Sequence, residues 1–406
     1  MLCVMEGDHM NINCNIQHAL IWHKELYVGG GTHVYRLFVK YLKELGFNVI
    51  TITTSYVLEK GDEEESKVIV VNKSLFRDEI IKLVTKLRPK IIVRISGPLL
   101  DRVIPPVLKK NTIIINYIHF PYDATIRLME SILRLKNISL IALVDDIAIN
   151  LLRALLFKRE SEMDRPSENS IILTNSNFTR YIVETVWGIN AYTLYPTLLE
   201  ESPKPLNYDA FANKVKNLIA MLGTYTIGKR YHFIPIVAKH LRNYGIVIMG
   251  STPSQLNKLY YKTLSLINNM LNVRNILMLS NVDESVKKYI LSRSVALLHL
   301  RFFEHFGIAI LEGIKYGNIP LVHTSGGQYE ICKNFFPHWC RFFASVNPND
   351  IGIELSKILD ELSSYTVDEL YRGYVKAFDV LKRRFSFNTF KENLDSMIKS
   401  FLHEVM

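Results

Sequence analysis

Glu304-His305-Phe306-Gly307-Ile308-Ala309-Ile310-Leu311-Glu312 joins two segments of different periodicity. The run before it, 295–300, is apolar and short enough for a buried strand. The residues after it, 308–316, repeat apolar side chains at helical spacing and stop at Gly317-Asn318-Ile319-Pro320, a glycine-then-proline helix end. The stretch therefore reads as strand, loop, helix, with Glu304 in the loop and Glu312 in the second helical turn. Helical side chains lean toward their own N-terminus, so both carboxylates can address one ligand above that terminus. The amides around Gly307 and Ile308 are free there to hold a phosphate. Two hydroxyl-binding carboxylates beside an anion seat suggest a nucleotide sugar.

Working outward, the same strand-to-helix alternation recurs along the 406 residues and predicts α/β architecture with parallel sheets. Strands are expected over 14–21, 49–53, 68–71, 91–95, 112–118, 171–174 and 192–195, with the first helix over 32–45. A second series follows over 218–222, 246–249, 276–279, 295–300, 319–322 and 341–343, closed by helices over 348–362, 367–384 and 388–405. Pro196, Pro203 and Pro205 interrupt the pattern between the two series. The expected organisation is a domain over 1–196, a linker over 197–205, a second domain over 206–385, and a final helix over 386–406 packing back toward the first domain. Two doubly wound domains facing a central cleft would bind ligands at the C-terminal ends of their strands.

Composition is that of a globular protein, 48% hydrophobic and 22% charged, and no apolar run reaches the length of a membrane span. The N-terminus lacks a basic start followed by an apolar core, so no signal peptide is expected. Cys3, Cys14, Cys332 and Cys340 show no paired metal spacing and read as reduced thiols of a cytoplasmic protein. The net charge of +10 is concentrated: residues 201–300 hold 13 Lys/Arg against 4 Asp/Glu. Neither zinc-finger spacing nor an RNA-binding aromatic motif accompanies it, so nucleic acid is not an expected partner. The apolar, basic-flanked segment 125–159 suits either a peripheral membrane helix or helices packed on the first sheet.

Further constellations carry candidate chemistry. Gly29-Gly30-Gly31 opens the first helix and lets backbone approach a ligand, although it lacks dinucleotide-binding spacing. His119 leaves the sheet where a ligand between domains is expected. Gly223 begins a loop ending in Lys229 and Arg230, cations suited to a diphosphate. Thr324-Ser325-Gly326-Gly327-Gln328 suggests another amide-lined loop. Asp145-Asp146, His18 with His23, and His299 with His305 lack the further ligands a metal needs, so no metal site is expected.

Together and in this order, these motifs resemble a retaining glycosyltransferase of the two-domain GT-B type, family 4. The resemblance rests on GGGTHVYRLFVKYLKELGFNVITIT (29–53) and on EHFGIAILEGIKYGNIPLVHTSGG (304–327), with its two glutamates. NYIHFPYDAT (116–125) and TNSNFTRYIVETVWGINAYTLYPTL (174–198) are similar to mannosyltransferases that elongate dolichol-linked oligosaccharides on the cytoplasmic face of a membrane. The resemblance implies catalytic roles for Glu304, at the donor-sugar hydroxyls, and His119, against the sugar. It implies that the Gly307 and Ile308 amides, with Lys229, bind the diphosphate, that Gly223, Arg230 and Phe306 belong to the substrate-binding set, that Glu312 holds the ribose, and that Gly30 and Gly31 shape the meeting point of donor and acceptor.

The implied donor is a nucleotide sugar, GDP-mannose in first place and a UDP-sugar such as UDP-glucose as the alternative, with no metal or other cofactor. The implied acceptor is a lipid-linked glycan, and a soluble acceptor is the alternative. The implied location is cytoplasmic, with peripheral contact to the cytoplasmic face of a membrane. One departure stands out: the family's usual arginine after the loop glycine is Thr224 here. Compensation by Arg230 is open at this point, as is the reading of a nucleotide-sugar-binding protein without turnover.

Overall fold

The short apolar runs form the strands of two wholly parallel sheets in a computed structural model of the chain. The structure describes residues 17–27, 29–57, 66–72, 76–96, 104, 107, 112–121 and 170–405. The segment 125–159, the pair Asp145-Asp146, and Cys3 and Cys14 lie outside the described residues.

In the first sheet, β1 (His18–His23), β3 (Asn48–Thr53) and β5 (Lys67–Val70) run in one direction across the sheet from its centre. On the other side lie β6 (Ile91–Ser96), β7 (Ile113–Ile118), β8 (Ile171–Thr174) and β9 (Tyr192–Thr193), giving the order β5-β3-β1-β6-β7-β8-β9. The order reverses between β1 and β6, where Ala19 pairs with Ile91 and Leu20 with Ile92. Such a switch point leaves a crevice at the strands' C-terminal ends. All of β1 is buried, as a central parallel strand covered on both faces should be.

Around this sheet lie α1 (Gly30–Glu44), α2 (Phe76–Leu87) and α3 (Asn177–Trp187). Val34, Leu37, Phe38, Tyr41 and Leu42 give α1 its buried face. Ser176 caps α3 by accepting the Thr179 N–H, and Gly188 ends it in the left-handed conformation.

The second sheet repeats the logic. From β10 (Val215–Leu222), the strands β11 (Gly245–Gly250) and β12 (Ile276–Ser280) run one way, and β13 (Ser294–His299), β14 (Ile319–His323) and β15 (Arg341–Phe343) the other. Its switch point lies between β10 and β13, where Ile219 pairs with Ala296. The helices of this half are α4 (Tyr208–Ala212), α5 (Ile234–Val237), α6 (Gln255–Met270), α7 (Glu284–Arg293), α8 (Ile308–Lys315), α9 (Gly326–Phe335), α10 (Pro348–Ser363) and α11 (Val367–Arg384). Ala220, Val247, Met249, Leu291, Leu297 and Ala309 form one core cluster beneath them, each large side chain contributing about 1.5–3 kcal/mol by leaving water.

The chain divides into two compact units. The described residues up to Leu199 join those from Phe390 onward in one unit, and residues 200–389 form the other. Within the first unit, α12 (Phe387–Val405) stacks Phe390 edge-on against Phe38 of α1 at 5.4 Å between ring centres. Tyr41 Oη donates to Asp395 Oδ1 at 2.6 Å, and Lys391 pairs with Glu44 at 2.8 Å.

The strand boundaries differ from expectation where polar residues serve the sheet. β1 continues to His23, which apolar patterning excludes, because the register with β6 carries it to the strand end. The two-stranded parallel pair β2 (Glu25–Tyr27) with β4 (Ser55–Val57) carries no recognisable run of its own. Strand β9 is only two residues long, so Leu194 and Tyr195 of the expected 192–195 strand lie beyond it.

Candidate functional site

In the second unit the switch point brings the loop after β10 beside the loop after β13. Gly223 takes φ 150° directly after β10, and a Cβ there would meet Lys229 Cε at 3.1 Å. A bare backbone at 223 therefore gives the Lys229 stem its path. The Lys229 ammonium donates to Glu304 Oε2 at 2.7 Å and lies 3.1 Å from His299 Nε2.

Gln328 settles which imidazole nitrogen faces the lysine. Its Nε2 donates to the Arg301 carbonyl at 2.6 Å, which turns Oε1 toward His299 Nδ1 at 2.7 Å. Nδ1 must then carry the proton, and the bare Nε2 accepts from Lys229. Burial, reinforced by the Lys229 charge, pulls the His299 pKa down and keeps the ring neutral.

Glu304 is 7% exposed. Burial pushes its pKa up, but the Arg301 and Lys229 cations outweigh it and hold the carboxyl well below the usual range. Arg301 Nη1 stands 3.6 Å from Glu304 Oε1, which also accepts the His305 N–H at 3.1 Å. Burial pulls the Lys229 pKa down, and Glu304 restores part of the loss. The cluster is thus an ionised carboxylate held by two cations, with a neutral histidine as spacer.

The backbone around Glu304 is set by its neighbours. Phe303 adopts φ 50°, and Ser325 Oγ accepts its N–H at 2.9 Å. Gly327 N–H donates to the Glu304 carbonyl at 2.7 Å, and a Cβ on Gly327 would fall 2.0 Å from the His305 carbonyl oxygen. The Gly326-Gly327 pair packs against the backbone of the Glu304 loop.

Gly307 caps α8 in the left-handed conformation at φ 94°. Its carbonyl accepts the Ile310 N–H, leaving the Gly307 and Ile308 amides ahead of the helical ladder. Phe306 is buried, with its ring centre 6.5 Å from that of Phe385. Glu312 Oε1 accepts from Lys287 of α7 at 2.9 Å, and Lys287 also pairs with Glu284 at 2.7 Å.

Arg230 does not stand beside Lys229. With φ 57° it turns inward, is 1% exposed, and stacks its guanidinium 4.0 Å from the centre of the Phe302 ring. Thr224 hydrogen-bonds Ser251 Oγ at 2.9 Å. The second cation at Glu304 is Arg301, which carries no glycine or motif signal in the sequence.

In the first unit, the switch point between β1 and β6 gathers a different set. His23 at the end of β1 places Nδ1 3.2 Å from Ser96 Oγ at the end of β6. His119 follows β7, and Asn175 after β8 donates to its carbonyl at 3.0 Å. The described residues 116–121 and the stretch 174–198 are thereby coupled through adjacent strands.

Gly31, in the first turn of α1, faces both rings: a Cβ there would lie 3.2 Å from His23 Nε2 and 3.8 Å from His119 Nε2. Both nitrogens are buried without a hydrogen-bond partner. Burial lowers the His23 pKa to about 4, partly offset by carbonyls at Gly31 and Glu25. Burial, then the charges of His23 and Arg94, lowers that of His119 to about 3. At neutral pH the pair offers uncharged imidazole edges, suited to sugar hydroxyls rather than to phosphate. Gly29 and Gly30 are exposed at the same helix start. Sequence reasoning singles out His119 but not His23, which falls beyond the expected 14–21 strand and is weighed only with His18 as a metal pair.

Residues 208–364, all within the second unit, match the family described as "Glycosyl transferases group 1". This unit carries a group 1 glycosyltransferase domain. The Lys229–Glu304 cluster, Gly307 and Glu312 all fall inside the group 1 domain. The chain is 25% identical over 150 residues to the Alpha-1,3/1,6-mannosyltransferase ALG2 of Saccharomyces cerevisiae, a match covering 34% of this chain and 30% of that protein. It is 32% identical over 130 residues to the enzyme of the same name from Kluyveromyces lactis, covering 30% and 25% respectively. The matched stretches thus span less than a third of these relatives.

The solved structure of Anabaena Alr3699/HepE in complex with UDP-glucose superimposes with a TM-score of 0.67 at 13% identity, over 94% of this chain and 99% of that one. The likeness to such glycosyltransferases gives the two-sheet chain, group 1 domain included, a GT-B fold.

Proposed function

We propose that this chain is a retaining, metal-independent hexosyltransferase of the family 4 type that moves mannose from GDP-mannose onto a lipid-linked glycan. The observation that carries the reading is the Lys229–Glu304 pair, 2.7 Å apart at the switch point of the group 1 domain and ahead of the α8 N-terminus. A cation and an ionised carboxylate side by side suit the join between an anionic diphosphate and a neutral sugar. Lys229, Arg301 and the Gly307 and Ile308 amides face the diphosphate, Glu304 the sugar hydroxyls, and Glu312 the ribose. Gly223 clears the path of Lys229. His119 and the Gly30-Gly31 turn serve the transferred sugar and the acceptor.

Breaking the anomeric C–O bond leaves negative charge on the diphosphate and positive charge on the ring. Lys229, Arg301 and the helix terminus stabilise the first charge, and Glu304 the second. The acceptor oxygen bonds to the anomeric carbon on the face the diphosphate leaves, and its proton passes to the departing phosphate oxygen. Configuration is retained without a bond to the protein, so a trapped sugar adduct on Glu304 would contradict this route.

Mannose is favoured over glucose by the mannosyltransferase matches at 25% and 32% identity. The UDP-glucose bound to Alr3699/HepE belongs to a fold-level relative and keeps a UDP-sugar as the second donor to test. The deciding experiment pairs purified protein with a panel of GDP-, UDP- and ADP-sugars and a membrane lipid extract. Mannose incorporation from GDP-mannose alone is the expected result; incorporation only from a UDP-sugar, or only into soluble acceptors, replaces the reading. In calorimetry, Glu312→Ala is expected to weaken donor binding by about 1–3 kcal/mol, and unchanged affinity would remove Glu312 from the ribose site.

A further inference from the structure

We propose that the outward face of α6 docks on an anionic lipid surface. The helix is well formed but poorly buried. Ser254 and Asn257 close a capping box at its start, and Leu264 is its one fully buried apolar side chain. Tyr260 Oη bonds His232 Nδ1 at 2.9 Å, and Tyr261 Oη reaches the Met278 carbonyl at 3.4 Å, so these two tyrosines point inward. Of the other five large apolar residues, Ile267 is half-buried and four point away. Leu256, Leu259, Leu266 and Met270 are exposed by 77%, 62%, 63% and 84%.

Their spacing of three, seven and four residues puts all four on one stripe, with Thr263 completing it. Lys258 and Lys262, both exposed, form the adjoining flank. A face that only had to be soluble gains nothing from four exposed hydrocarbon side chains in line.

Charge selects the occupant. Between Asp209 and Asp283 the chain has nine Lys or Arg and not one acidic residue. Lys214, Lys229 and Arg230 are engaged in the domain interior. Lys216, Lys239, Arg242, Lys258, Lys262 and Arg274 are all exposed. Leucine and methionine on a single convex helix, beside lysines and without any acid, match the boundary between lipid headgroups and acyl chains. A bilayer takes up the leucines, and anionic headgroups attract the flanking Lys258 and Lys262 within a Debye length. The same acid-free run explains the basic excess of residues 201–300, which a diphosphate site uses only in part. The surface does not depend on which sugar is moved, and its failure leaves the transfer reading intact.

The test is flotation of the full chain with phosphatidylcholine vesicles, with and without phosphatidylserine, at low salt. Two variants, Leu259→Ser/Leu266→Ser and Lys258→Glu/Lys262→Glu, change exposed side chains only, so thermal melting and transfer to a short soluble acceptor are expected to stay unchanged. Wild-type protein is expected to float with the serine-containing vesicles, and each variant to lose at least about tenfold in partitioning. Absence of flotation, or flotation undiminished in both variants, overturns the proposal. So does a wild-type dimer in sedimentation equilibrium that the leucine variant dissociates without any change in vesicle binding, because a second copy then covers the stripe.

Discussion

Lys229 Nζ and Glu304 Oε2 lie 2.7 Å apart, on loops that leave neighbouring strands 75 residues apart in the chain. Neither is exposed enough for water to satisfy it alone: their side chains are 18% and 9% accessible. Glu304 is therefore the main compensation for Lys229, while Lys229 shares that role at Glu304 with Arg301, and the consequences for variants are asymmetric.

Removing either partner alone leaves a buried charge. Glu304→Gln and Lys229→Met are each expected to lower unfolding free energy by roughly 3 kcal/mol and to reduce transfer at least ~100-fold. The double variant is expected to regain most of the stability and none of the activity. Urea unfolding of the four proteins gives the coupling energy; a value near zero would show that the pair is not held as described.

Stability is expected to fall as pH drops from about 6.5 toward 4. The unfolded chain protonates its histidines near the upper value, whereas burial keeps His23 neutral down to about 4 and His119 to about 3. Protonation therefore favours the unfolded chain throughout that window. Glu304 acts lower down: its contribution is complete above the ordinary carboxyl range and is lost as pH falls through its depressed value. In chemical unfolding across this range, His23→Gln should flatten the slope above pH 4; an unchanged slope would assign it to other groups.

Two glycines are expected to fail differently. Gly31→Ala adds a Cβ 3.2 Å from His23 Nε2 and 3.8 Å from His119 Nε2, filling the space both imidazoles face, without a left-handed backbone to strain. It should fold with a melting change of a few degrees or less and lose transfer activity. Gly327→Ala adds a Cβ 2.0 Å from a backbone oxygen and should melt much earlier. Equal melting losses in the two would undo this distinction.

The two arginines also separate. Arg301→Ala is expected to weaken nucleotide diphosphate binding by about 1–3 kcal/mol with little loss of stability. Arg230→Ala should do the reverse, since its guanidinium stacks on Phe302 in the interior. Thermal melting beside calorimetric titration with GDP and UDP reads both quantities. A restored affinity in Thr224→Arg/Arg301→Ala would show that Arg301 stands in for the cation absent at 224.

Local signals are legible where one strand or helix carries them. The alternation around 304–312 places Glu304 in a loop and Glu312 on a helix, and both stand there. The glycine spacing before α1 and after β10 marks two places where backbone and side chain pass closely. His23 escapes because a histidine at a strand end has no local pattern. Lys287 escapes because only its contact with a carboxylate 25 residues away distinguishes it from other surface cations, and Arg301 because no local pattern shows that it turns toward Glu304 three residues on. Arg230 follows Lys229 in the chain, but its positive φ turns the guanidinium onto Phe302, which adjacency alone does not show.

By itself the amino-acid order determined the α/β class, most strand positions and the chemical identity of the central carboxylates, because strand and helix periodicity and glycine placement are properties of neighbours in the chain. Only the tertiary structure decided which cation meets Glu304, which nitrogen of His299 faces it, and that His23 joins His119 over Gly31. These depend on strand order: the switch points between β1 and β6, and between β10 and β13, set side by side loops that are tens of residues apart. No pattern within a single element encodes that neighbourhood, since parallel pairing is fixed by the packing of both sheet faces at once.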